Sequence, residues 1–143
     1  MYIRLPSAHY PHVITSSIPR KSISGQLVGL KRFRGRATLV LFWNPGCGYC
    51  AQMLDDLKTW EQSAGREAPQ LLVVSTGAAE VNQAMGLKGT VVLDHSNQTM
   101  QAFGAGGTPS AILVDARGKI ASELAVGADA VLALARQEHA QTA

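Results

Sequence analysis

The stretch Thr38–Cys50, TLVLFWNPGCGYC, decides the fold and contains both cysteines of the 143-residue chain. Thr38–Trp43 is an unbroken apolar run rich in β-branched and aromatic side chains, the pattern of a central strand buried on both faces. Asn44-Pro45-Gly46 cannot extend it, so the chain turns there. Beyond the turn, Cys50, Met53, Leu54, Leu57 and then Trp60 or Glu61 recur at i, i+3, i+4, i+7, one stripe of an amphipathic helix. The stripe begins at Cys50, so this thiol is expected to face the core. Cys47 falls at the helix start, where unpaired N–H groups and the positive end of the dipole favour a thiolate. The spacing therefore predicts that Cys47 attacks a disulfide and that the shielded Cys50 resolves the mixed disulfide.

Two plainer readings of the pair are weaker. Tetrahedral zinc ordinarily takes four ligands, and this chain has no second cysteine pair and only scattered histidines, so no metal is expected. Two inert core cysteines would have no reason to sit together at a strand-to-helix turn.

The segment Phe42-Trp43-Asn44-Pro45-Gly46-Cys47-Gly48-Tyr49-Cys50 resembles the active site of the thioredoxin superfamily, a Phe-Trp strand end followed by Cys-x-x-Cys. Downstream, Gly107-Thr108-Pro109 opens the apolar run Ala111–Val114 and resembles that family's cis-proline loop. The likeness covers roughly Ser22 to Gln137. It implies an α/β, thioredoxin-like fold: a central mixed sheet flanked by helices, with an N-terminal β-hairpin and an insertion between the active-site helix and the cis-proline loop. It also implies that Thr108 and Pro109, with Trp43, Gly48 and Tyr49, form the substrate-binding surface around Cys47 and Cys50. The run Ser24–Gly35 is similar to the N-terminal hairpin and short helix of TlpA-like thioredoxins, dithiol reductases of the extracytoplasmic side of bacterial membranes. That likeness implies protein disulfides as substrates, an upstream electron donor, and no cofactor.

Composition is consistent with one domain, read as residues 16–143 behind an irregular lead-in of residues 1–15. Met1–His12 has no apolar h-region, so no secretory signal is expected, and no run is long enough to span a bilayer. A monomer is expected. The net charge of +3 is unevenly placed. Up to Leu54 there are seven basic residues and no acidic one; beyond it there are six basic and ten acidic, giving +7 and −4. The basic cluster Lys31–Arg36 reads either as a patch for an anionic partner or as a solvated turn, and the turn is preferred. It lacks the aromatic interleaving of nucleic-acid binders, so no nucleic acid is expected. His9 and His12 read as surface histidines rather than metal ligands.

In chain order, a hairpin over Ile18–Val28 precedes the central strand. After the active-site helix, roughly Gly48 to Ala64, Leu71–Ser75 reads as a second buried strand, parallel to the first. A short helix near Ala79–Met85, a strand at Val91–Leu93 and a helix near Asn97–Phe103 follow. Ala111–Val114 and Lys119–Glu123 read as strands joined by a turn at Asp115-Ala116-Arg117-Gly118. A last helix, Ala128–Gln137, covers the sheet.

The chain also departs from the family. The buried aspartate of thioredoxins is Leu41 here, so the usual proton shuttle is missing; Glu80 and Asp94 are substitutes by position alone. Gly46 replaces a tryptophan before the first cysteine, which should expose its sulfur. Cys-Gly-Tyr-Cys with Thr108 looks like bacterial disulfide isomerases, which leaves an oxidase or isomerase using the same residues as the alternative to a reductase. A non-catalytic copper-handling or assembly redoxin would need the distant His95. The peroxiredoxin cradle is broken, since Asn44 stands where its threonine belongs.

Overall fold

The computed structural model describes residues 2–3, 20–21, 27–28, 30–94 and 96–137. Eight strands are present among them: β1 (Tyr2–Ile3), β2 (Arg20–Lys21), β3 (Leu27–Val28), β4 (Thr38–Trp43), β5 (Gln70–Ser75), β6 (Thr90–Leu93), β7 (Ser110–Val114) and β8 (Leu124–Val126). Six form one sheet in the order β1-β8-β7-β4-β5-β6, and β2 pairs with β3 separately. β4 runs parallel to β5 and antiparallel to β7, and β5 is parallel to β6. The sheet is therefore mixed, as the sequence implies. The β2–β3 pairing is antiparallel, as the expected N-terminal hairpin requires; the turn proposed at Ser24-Gly25 lies outside the described residues.

A 3-10 helix, Leu30–Phe33, leads into β4. The α-helices are α1 (Gly48–Ser63), α2 (Ala79–Gln83), α3 (Gln98–Ala102) and α4 (Ala128–Arg136). β4 is buried along its whole length because alternate side chains feed two cores. Leu39, Leu41 and Trp43 join the α1 stripe (Cys50, Met53, Leu57, Trp60) and the buried residues of α4. Val40 and Phe42 face the opposite core with Phe33, Phe103, Ile112 and Leu124. There the Phe42 and Phe103 rings pack at 5.6 Å between centroids, tilted by 50°. Each fully buried Leu or Phe contributes about 1.5–3 kcal/mol, so the central strand anchors the fold from both sides.

One expectation is corrected. Lys119–Glu123 is not a strand; regular pairing with β7 occurs at β8, Leu124–Val126, after a single bridge between Val114 and Ile120. The Ser122 hydroxyl accepts the Leu113 N–H at 2.8 Å, in place of a backbone carbonyl, and breaks the ladder. Within the expected lead-in, Tyr2–Ile3 forms an edge strand antiparallel to β8. The turn between β7 and β8 is as read: Asp115 Oδ1 accepts the N–H groups of Arg117 and Lys119, and Gly118 takes a φ of 88° that only glycine adopts freely.

α1 is also tied to the far side of the sheet. The Glu61 carboxylate accepts the N–H of Lys88 at 2.9 Å and of Gly89 at 2.8 Å, just before β6. Gly89 lies so close to β5 that a Cβ there would stand 2.8 Å from the Leu71 carbonyl oxygen. Replacing Glu61 with Ala leaves two amides without their acceptor and should lower unfolding stability by about 1–3 kcal/mol. Urea denaturation monitored by circular dichroism checks this.

Candidate active site

The site is built where β4 runs out. Asn44 Oδ1 accepts the Gly46 N–H at 2.8 Å, and the Asn44 carbonyl accepts the Cys47 N–H at 2.9 Å. These two bonds turn the chain from strand to helix within three residues. Cys47 is the N-cap residue of α1, with extended backbone angles, and its carbonyl accepts the Ala51 N–H at 3.0 Å. Both cysteines are free thiols. Cys47 is half-buried, whereas Cys50, one turn along, is 0% exposed and belongs to the core around α1.

Their acidities diverge accordingly. Cys47 is held below its ordinary value, chiefly by the backbone N–H of Cys50, with help from the Thr108 side chain and the Tyr49 N–H and against partial desolvation. This is the helix start acting as an anion site. Cys50 is pushed up to about 11, mainly by burial, which the Asn44 backbone and the Thr108 side chain only partly offset.

The loop before β7 completes the arrangement. β7 is antiparallel to β4, with Ser110 opposite Phe42, so the preceding residues arrive at the end of β4 that carries the cysteines. The Thr108–Pro109 bond is cis. The Cys47 thiol donates to the Thr108 carbonyl at 3.5 Å. The Ser110 hydroxyl donates to the Gly107 carbonyl, and the Pro109 carbonyl accepts the Gly127 N–H at 2.9 Å, which ties the loop to the start of α4. Cys47, Cys50 and Thr108–Pro109, distant in sequence, thus share one small region. Gly48 is exposed and Tyr49 is 70% exposed beside them.

Trp43 is 2% exposed, its indole N–H is unpartnered, and it lies in the α1 core. The alternation of β4 sends it the same way as Leu39 and Leu41. Leu41 itself is fully buried in the core that holds Cys50, so the central strand offers no carboxylate there. Asp94 caps α3 by accepting the N–H groups of Thr99 and Met100, and Glu80 is exposed on α2. His95, on which a copper role would depend, lies outside the described residues. Among the described residues no group of three or more His, Cys, Asp or Glu side chains is placed to hold a metal ion.

Sequence reasoning overlooked Asn44 and Asn82. Asn44, two residues before Gly46, carries an Asx-turn signal. Asn82 is buried on α2 and donates to the carbonyls of Thr76 and Ala78, both at 2.9 Å. It thereby fixes the loop after β5, whose last residue, Ser75, pairs with Trp43.

A family model for redoxins matches residues 13–130. The chain belongs to the redoxin family. It is 24% identical over 103 residues to the thiol-disulfide oxidoreductase ResA of Geobacillus thermodenitrificans, an overlap of 68% of this redoxin and 59% of that relative. It therefore spans little more than half the length of this relative. Among solved structures, a thiol:disulfide interchange protein from Bacteroides sp. superposes with a TM-score of 0.68 at 23% identity, covering 85% of this chain and 86% of the other. The thioredoxin domain of a thiol-disulfide oxidoreductase from Bacteroides vulgatus gives 0.67 at 23% identity, covering 82% and 89%. These likenesses establish the thioredoxin-like fold.

Thiol reactivity follows the thiolate fraction. Alkylation of the redoxin by iodoacetamide should therefore show one fast thiol, Cys47, whose rate rises with pH to a midpoint below that of an ordinary cysteine. Cys50 should stay silent until the pH nears 11. Mass mapping of the labelled peptide across pH checks the order.

Proposed function

We propose that this redoxin is a thiol–disulfide oxidoreductase that reduces protein disulfides through Cys47 and Cys50. The observation that carries the reading is the placement of two thiols three residues apart, one half-buried at a helix start that favours its thiolate and one fully buried, where desolvation favours the protonated form. The relatives' names as thiol-disulfide oxidoreductases support the same activity.

In this reading the Cys47 thiolate attacks one sulfur of a substrate disulfide. A bond forms between Cys47 Sγ and that sulfur, and the other substrate sulfur leaves as a thiolate and takes a proton. Cys50 then loses its proton and attacks Cys47 Sγ. The Cys47–Cys50 disulfide forms and the second substrate sulfur departs, so two electrons pass to the substrate. An external dithiol donor must reduce the pair again. Thr108 and Pro109 supply the backbone edge against which an extended substrate lies, and the Thr108 carbonyl exchanges its thiol contact for that strand. Gly48 leaves the approach to Cys47 open, and Tyr49 offers an exposed ring to the partner. Trp43 serves as the floor beneath the pair. With Leu41 on the central strand, no carboxylate of β4 receives the Cys50 proton.

Cys47→Ser should abolish reduction of insulin disulfides, and Cys50→Ser should instead accumulate covalent adducts with substrate proteins. Parent-level reduction by both variants would overturn the assignment. Titration of the pair against a glutathione buffer decides direction: a midpoint far below the glutathione couple identifies a donor, and one above it the oxidase or isomerase alternative.

A further inference from the structure

The basic cluster that the sequence displays before β4 does not stand alone in the fold. Lys31, Arg32, Arg34 and Arg36 lie at the end of the sheet where β4 begins, opposite the cysteines. Three other segments meet them there. The Gly35 N–H donates to the Ala116 carbonyl at 2.8 Å, bringing in the turn that carries Arg117 and Lys119. The Arg36 guanidinium donates to the Ala68 and Gly65 carbonyls, bringing in the loop that carries Arg66. The end of α4, with Arg136, lines a shallow groove together with Ala64 and Ala68 of that loop. All eight cations are exposed. Only Glu67 and Asp115 oppose them in these segments, so eight cations less two carboxylates leave +6 on one pole.

The charged residues that border the other pole, Glu80, Asp94 and Asp129, are all acidic. No charged residue lies between Arg36 and Asp55, in Thr76–Ala79, from Ser96 to Val114, or in Leu124–Ala128, the segments that surround Cys47. The fold thus separates a cationic end from a redox end that has no cations beside Cys47.

We infer that the cationic pole docks on an anionic phospholipid surface, with Cys47 directed away from it. The pole lacks what other anionic partners need. Among the described residues its exposed side chains include no aromatic ring on which bases could stack, and the exposed large apolar side chains, Tyr49 and Val81, lie elsewhere. A specific protein interface is anchored by large aromatic or aliphatic groups, and among the described residues this pole exposes none: Trp60, which lines the groove, is itself buried in the core. Long cations spread over four segments suit instead a diffuse, extended negative surface.

Sedimentation of the full chain with vesicles tests this. Binding to phosphatidylcholine–phosphatidylglycerol vesicles, absence of binding to phosphatidylcholine alone, and release at about 1 M salt, where screening acts within about 3 Å, are expected. The triple variant Arg34→Gln, Arg66→Gln, Arg117→Gln should bind about a hundredfold more weakly, at about fivefold per cation, while keeping its circular dichroism and its insulin reduction. Cys47 of vesicle-bound protein should be alkylated as fast as in free protein. Equal binding to neutral vesicles, unchanged binding of the triple variant, protection of Cys47 by vesicles, or tighter binding to single-stranded DNA or polyglutamate than to charged vesicles would each overturn the inference.

Discussion

Two sulfurs only three residues apart are kept in unlike surroundings, and the arrangement of the rest of the chain follows from keeping them so. Cys47 must remain at the lip of α1, where the amides of Tyr49 and Cys50 can reach it. Cys50 must remain under the helix, where desolvation holds its proton. Both conditions require a helix start pressed against a rigid, apolar floor. β4 supplies that floor through Leu41 and Trp43, and it is itself held in place because its other face is equally filled.

The same constraint explains the order of strands. Placing β5 parallel and β7 antiparallel on either side of β4 brings the loop after one and the loop before the other to the cysteine end. Thr108–Pro109 then lies against Cys47 without a long connection, and Gly127 locks that loop by binding the Pro109 carbonyl. Asn82 does the equivalent service on the β5 side. The site's rim is thus made of short segments, each held by a hydrogen bond to the frame.

What could be read in the sequence was what depends on local pattern. β4, the α1 stripe and the burial of Cys50 follow from apolar periodicity, and all appear where the spacing puts them. β8 was misplaced because a single hydroxyl, that of Ser122, took over a backbone position in the ladder, an event that propensity does not register. Trp43 has the parity of Leu39 and Leu41 on β4 and packs with them in the α1 core, a placement that the alternation of the strand already contains. The cationic pole was only half visible: Lys31–Arg36 is contiguous, but Arg66, Arg117 and Arg136 join it through tertiary contacts that no window of sequence contains.

The grip of Glu61 on the amides before β6 bears on how partners must approach. α1 is clamped at its amino end by the strand turn and along its second half by this carboxylate, so it has no free arm to swing. In the proposed reaction Cys47 is therefore a stationary nucleophile, and the geometry of collision has to be supplied by the other molecule. Disulfides on yielding loops can bend to meet such a fixed sulfur; those buried in stiff frameworks cannot, so selectivity among clients would arise from their pliancy rather than from adjustment of the redoxin.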